Sequence, residues 1–146
     1  MIKIIRLLAL IVIPIVAHAA SKNNDFDGTI WCTYGNDNVP GTILYFKGTH
    51  YVEIYPSFKG GYIKPKECVK YFVAHKNKIT EIVSLCIPSL PPYIYDSKYS
   101  ILTLTWPMGK GITIYKNLSE KEANEIIKNF SLSDIDFSKL EIRRSE

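Results

Sequence analysis

A chain of 146 residues sets the expectation of one domain, and eight Gly, eight Pro, 12% aromatic and 22% charged residues describe a folded one. Disordered and collagen-like classes are excluded on that composition. Eighteen basic against fourteen acidic residues leave a net charge of +4, too balanced for a nucleic-acid binder that works by charge.

The N-terminus reads as an address. Lys3 and Arg6 precede an apolar run from Leu7 to Ala17. At about 1.5 Å per helical residue that run is too short for the ~30 Å apolar core of a bilayer. Ala17-His18-Ala19 then offers small residues at the positions a signal peptidase reads, so cleavage is expected after Ala19, with Ala20 as second choice. Residues 1–19 are thus expected to be a secretory signal peptide, and residues 20–146 a single β-rich domain. The mature protein is expected in the periplasm or secreted, with no stable membrane insertion. Its three cysteines would meet an oxidising compartment.

Beyond the leader, short alternating runs broken by turn residues form an all-β pattern. Thr29 to Tyr34 alternates Ile30, Cys32 and Tyr34 with Thr29, Trp31 and Thr33. Thr42 to Phe46 and Thr49 to Tyr55 flank Lys47-Gly48, where glycine supplies the positive φ of a tight turn. Tyr62 to Lys64 reads as a short edge strand, because Pro65 cannot donate to a ladder. Cys68 to His75 and Ile79 to Cys86 flank Lys76-Asn77-Lys78, read as a three-residue loop. Pairing symmetric about Asn77 sets Cys68 opposite Cys86 and places Val69, Tyr71, Val73, Ile79, Val83 and Leu85 on the core face.

Ile87 to Pro92 is too rich in proline for a central strand and reads as extended or polyproline-like. Tyr99 to Trp106 and Ile112 to Lys116 make a last hairpin. The period then changes. Ser119 and Glu122 form a capping box, and Ala123, Ile126, Ile127 and Phe130 recur at helical spacing, predicting a helix over Glu120 to Phe130. The expected fold class is mainly β: a small antiparallel barrel or strongly bent sheet of seven or eight strands, with one C-terminal α-helix.

Three cysteines allow one disulfide and leave one thiol over. The hairpin register selects Cys68–Cys86, which would contribute about 3 kcal/mol by loop closure. Cys32 bonded to either of them is the alternative. Left free, Cys32 is expected to be a buried, inert thiol, since it alternates with Ile30 and Tyr34.

The residues offer little for catalysis. His50 and Glu53, three apart in a strand, point to opposite faces. His75 sits beside the hairpin loop. No Cys-x-x-Cys, Gly-rich phosphate loop or metal-ligand spacing occurs, so neither a catalytic set, a metal nor a cofactor is implied. Ten tyrosines favour binding surfaces instead. Leu90, Pro91, Pro92, Tyr93, Tyr95 and Tyr99 form a candidate partner-binding loop, stiffened by proline.

Gly28-Thr-Ile-Trp31 resembles the Gly-x-Trp that opens the first strand of bacterial lipocalin-like (calycin) small β-barrels. Phe46-Lys-Gly48-Thr-His-Tyr51 resembles their Phe…Gly-x-Tyr hairpin. The resemblance implies a barrel that holds a small hydrophobic ligand or serves as a binding scaffold, with an Arg to stack on the Trp drawn from Arg143 or Arg144. It transfers no catalytic residue.

The function expected first is an exported, non-enzymatic binding protein, an inhibitor or immunity-type protein that engages another protein. The alternative is a lipocalin-like carrier of a small hydrophobic ligand. A third reading, a small secreted hydrolase or toxin, requires His50 or His75.

Overall fold

The computed structural model describes residues 25–34 and 40–144; the expected signal peptide lies outside them. Its strands are β1 (Ile30–Tyr34), β2 (Pro40–Lys47), β3 (His50–Ile54), β4 (Glu67–Lys76), β5 (Ile79–Ser84), β6 (Tyr93–Asp96), β7 (Ile101–Thr105), β8 (Ile112–Asn117) and β9 (Glu141–Ile142), with α1 (Glu120–Asn129) after β8. Strands β1 to β8 each pair antiparallel with the next, and β8 returns to β1, closing an eight-stranded up-and-down barrel. The mainly-β barrel with one helix is the expected fold class.

Alternation gives each barrel strand an inward apolar face, and on β1 to β4 outward side chains are buried as well. Inward side chains, among them Trp31, Phe46, Tyr51, Tyr71, Tyr93 and Tyr115, pack into one cluster with Phe26. An eight-stranded barrel is just wide enough for side chains to fill it, and here aromatic rings do so. Phe46 lies 5.1 Å from both Tyr51 and Tyr71, and Tyr51 lies 6.0 Å from Tyr93. Phe26 stops one end, with its ring 5.9 Å from Phe46 and 5.2 Å from Tyr95.

Outward Ile30, Cys32, Ile43, Val52, Ile54 and Cys68 make the second core, roofed by Leu118, Ile126, Leu132 and Ile135. The roof begins as the sequence predicts. Glu122 N donates to Ser119 Oγ at 3.3 Å while Ser119 N donates to Glu122 Oε2 at 3.0 Å, so the capping box satisfies donors at the start of α1.

The β4–β5 hairpin corrects the expected register. Lys76 opposes Ile79, so the loop is only Asn77 and Lys78, with φ of 50° and 66°. Two left-handed residues make the type I′ turn whose twist suits a hairpin, and Asn is well suited to it. Tyr71 consequently opposes Ser84 and Phe72 opposes Val83, one residue away from pairing centred on Asn77. Ile82 takes the core side of β5, whereas Ile79 and Leu85, expected inside, are exposed.

That slip also removes the opposition of Cys68 and Cys86. All three cysteines are free thiols, so neither the expected Cys68–Cys86 bond nor a Cys32 pairing is present. Cys68 is buried in the core beneath the roof, and Cys86 is half-buried beyond the end of β5.

Two further expectations change. Tyr62 to Lys64 forms no strand, only an isolated bridge from Tyr62 to Pro56. Conversely, β6 occupies the second half of the expected recognition loop, because Tyr93-Ile94-Tyr95 continues the period-2 alternation past the prolines.

Candidate functional site

In an up-and-down barrel the connections alternate between two ends, and the two ends here are chemically unlike. One end carries the tight turns 48–49 and 77–78 and the turn 97–100, with Lys47, Lys76, Lys78 and Lys98 exposed and Phe26 as its stopper. The other carries the longer connections 55–66, 85–92 and 106–111 and opens into a cleft of about 360 Å³. Glu53, Tyr55, Leu90, Tyr93, Trp106, Tyr115 and Arg143 are among its walls.

Glu53 is the centre of this open end. It stands on the inner face of β3 between Tyr51 and Tyr55, with a side chain only 9% exposed. Tyr93 Oη donates to its Oε1 at 3.2 Å, and Tyr55 Oη donates to its Oε2. Arg143 Nη1 donates to the same Oε2 at 2.9 Å, while Arg143 Nε donates to Glu67 Oε2 at 2.9 Å. One guanidinium therefore spans two carboxylates that belong to adjacent strands.

The backbone explains how Arg143 gets there. β3 and β4 pair at His50–Lys70 and Tyr51–Val69 and no further toward the open end. There β9 takes over as a parallel partner of β4, with Glu141 N on Lys66 O at 3.1 Å and Arg143 N on Cys68 O at 2.9 Å. Arg143 ties the two strands back together where their own ladder stops.

Charge and burial act together on this cluster. Burial alone would lower the Arg143 pKa, but its bonds to Glu53 and Glu67 outweigh that and hold it above the ordinary arginine value. Burial, reinforced by the neighbouring Glu53 charge, pushes the Tyr115 phenol up to about 12 and raises Tyr51 as well. Tyr93 is driven well above the usual phenol range by burial and by Tyr51 and Glu53 beside it. Burial thus keeps these phenols protonated at neutral pH.

The residues expected to form one recognition loop separate to different places. Leu90 lines the open-end cleft, and Pro91 and Pro92 are half-buried beside it. Tyr93 is 1% exposed and holds Glu53, so it is a wall of the cleft and not a surface contact. Tyr95 faces inward near the opposite end, edge-on to Phe26 and Trp31. Tyr99 is exposed at that opposite end, under Lys98 at 5.0 Å.

Arg143 does not stack on Trp31; the indole Nε1 donates to Thr29 Oγ1 at 2.9 Å, toward the stoppered end. His50 and His75 stand on separate strands, each 3.1 Å from a threonine hydroxyl, Thr49 and Thr80 respectively. Burial, aided by Lys70, lowers the His50 pKa.

The loops of the open end add a second feature. Tyr55, Phe58, Ile63, Leu85, Trp106 and Met108 are all exposed there, with Lys59, Lys64, Lys66 and Lys110 interspersed. Phe58 is fully exposed on an ordered turn, in which Ser57 N donates to Gly61 O at 2.9 Å and Gly60 N to Ser57 O at 3.0 Å. Met108 is 93% exposed at the tip of the β7–β8 connection.

Glu53 and Arg143 were the residues that sequence reasoning missed. The signal for Glu53 was a lone carboxylate in step with Tyr51 and Tyr55 on an otherwise apolar strand face. Arg143, ninety residues away, entered the sequence reading only through the resemblance, as a stacking partner for Trp31 rather than for Glu53. Among the described residues no group of three His, Cys, Asp or Glu side chains is arranged to hold a metal ion, and no helix is long and apolar enough to cross a membrane. No protein-family model, curated protein or solved structure matches the chain.

Proposed function

We propose that the chain is an exported, non-enzymatic binding protein that engages another protein through the open end of its barrel, as an inhibitor or immunity-type protein does. The observation that carries this reading is the gathering of Tyr55, Phe58, Ile63, Leu85, Trp106 and Met108, all exposed, on three connections at one end. Exposed apolar side chains interspersed with lysines on neighbouring loops suit an interaction site. A barrel packed solid with aromatic rings holds those connections in place, which lowers the entropy lost on binding. Leu90 and Pro91, from the loop the sequence singles out, belong to this end, while Tyr99 does not.

The test is retention of partners. Phe58 and Met108 touch little of their own chain, so Phe58→Ser with Met108→Ser leaves the fold intact. Immobilised wild type should retain a discrete protein from a periplasmic extract, and the double variant should retain it at least tenfold less. Equal retention by both proteins contradicts the reading.

The calycin-like architecture favours a second reading, a carrier of a small hydrophobic ligand. With the barrel interior filled, such a ligand would sit in the open-end cleft against Trp106 and Leu90. Ligand-dependent quenching would then come from Trp106, not from Trp31.

A further inference from the structure

The open-end cleft is more than a gap between loops. Its charged wall is already engaged with a ligand of defined chemistry, and that ligand is the chain's own side chain. Arg143 presents Nη1 to Glu53 and Nε to Glu67, each at 2.9 Å, which is how a guanidinium is gripped by two carboxylates. The strand that delivers it is slight: β9 is two residues long, and both Glu141 and Ile142 are exposed. The receiving side is built into the barrel. Glu53 is fixed by the phenols of Tyr55 and Tyr93, and these come from strand β6 and the end of β3.

Two further observations point beyond a purely structural ion pair. The hydroxyl of Tyr51 is fully buried beside the Tyr93 phenol, without a hydrogen bond of normal geometry, in the field of both Glu53 and Arg143. The cleft also extends past the guanidinium, with Trp106, Tyr115 and Leu104 as aromatic and apolar walls. Such walls suit the arm and the cationic face of a guanidinium ligand.

We propose that Glu53, Glu67, Tyr55 and Tyr93 form a guanidinium-binding site at the barrel mouth, and that Arg143 is its built-in, displaceable occupant. An incoming guanidinium takes the two carboxylates, and β9 leaves the seam between β3 and β4. The same chemistry has two sources, a free small molecule or an arginine side chain on a partner protein, and the experiment separates them.

The probes are agmatine, a guanidinium on a short arm that ends in an ammonium, and the capped peptide acetyl-Leu-Arg-Leu-amide. Putrescine, in which a second ammonium replaces the guanidinium, serves as the charge-matched control. Binding to the full chain is followed by calorimetry and by the Trp106 indole resonance. Wild type should bind agmatine saturably and prefer it to putrescine, since an ammonium cannot reach both carboxylates in a planar fork. Arg143→Ala, which removes the competitor, should bind agmatine at least tenfold more tightly, and Glu53→Gln should lose that binding.

If the peptide binds at least tenfold more tightly than agmatine, the source is a partner's arginine. If it binds no better, the source is a small molecule; either result supports the site. Should Arg143→Ala fail to fold, Arg143→Lys leaves a poorer occupant and should still bind agmatine more tightly than wild type. The proposal is overturned if wild type shows no saturable agmatine binding. It is equally overturned if neither Arg143 variant outbinds wild type, or if Glu53→Gln binds as wild type does. The measurement reads the cleft alone, so its failure leaves the loop-surface reading standing.

Discussion

Glu53 accepts hydrogen bonds from two phenols and shares a guanidinium with Glu67, while the tyrosines around it are kept in their neutral form by burial. The buried phenols make the fold sensitive to alkali. Tyr71 and Tyr115 are each pushed up to about 12 by burial and by a nearby carboxylate, Asp27 and Glu53 respectively. An unfolded tyrosine ionises near pH 10, so above that value the unfolded state releases protons that the folded state retains. The stability these two groups contribute is full below pH 10 and is lost as pH climbs toward 12. Thermal melts should therefore fall steeply across that window, and Tyr115→Phe should make the fall shallower. A melting temperature flat from pH 9 to 12 would contradict the assignment.

Thiol chemistry gives a second check at this scale. Burial, with Glu122 nearby, lifts the Cys32 thiol to about 12, and Cys68 is equally enclosed beneath the roof. Native protein should react with an aromatic disulfide reagent first at Cys86, and at Cys32 and Cys68 only on unfolding. The burial of Cys32 was readable from its alternation with Ile30 and Tyr34. The absence of a Cys68–Cys86 bond was not, because a cross-strand disulfide depends on register, and register turned on one residue of turn geometry.

At the scale of elements, that turn is the clearest lesson. Lys76-Asn77-Lys78 offers no glycine, so a three-residue loop and a two-residue one look alike in sequence. The chain adopts the latter by placing Lys78 at φ 66°. A non-glycine residue pays about 1–2 kcal/mol for that conformation, against about 0.5–1 kcal/mol for the extra freedom glycine loses on folding. Lys78→Gly should accordingly stabilise the protein by about 0.5–1 kcal/mol, raising the thermal midpoint by a few degrees. Destabilisation would mean the turn is not the type I′ form.

The helix and its cap were legible because the Ser119/Glu122 spacing has a local mechanism. β6 was not, because a four-residue strand after a proline run is decided by the neighbours it pairs with, β5 and β7. β9 is decided elsewhere still. Its pairing depends on β3 and β4 parting at the open end, and no property of residues 141–142 announces that.

For the whole molecule, alternation along the strands was enough to place it among small barrels with a C-terminal helix, since a closed sheet must bury one residue in two. What alternation could not show is polarity from end to end. Whether a connection lies at the stoppered or the open end follows from strand count, and missing β6 reverses the assignment for everything after it. Tyr99 was therefore grouped with Leu90, although an intervening strand carries them to opposite ends. Once the count is right, exposed Tyr55, Phe58, Ile63, Leu85, Trp106 and Met108 fall at the end that also holds Glu53 and Arg143.

The central claim, that the open end is where this protein meets its partner, is tested most directly by photo-cross-linking in the producing cell. A benzophenone side chain replaces Phe58 or Met108 at the open end, and Lys76 or Ser97 at the stoppered end. All four side chains are exposed. The account predicts a discrete higher-mass adduct from positions 58 and 108 and none from 76 and 97. Adducts from the stoppered end alone, or from none of the four, would contradict it.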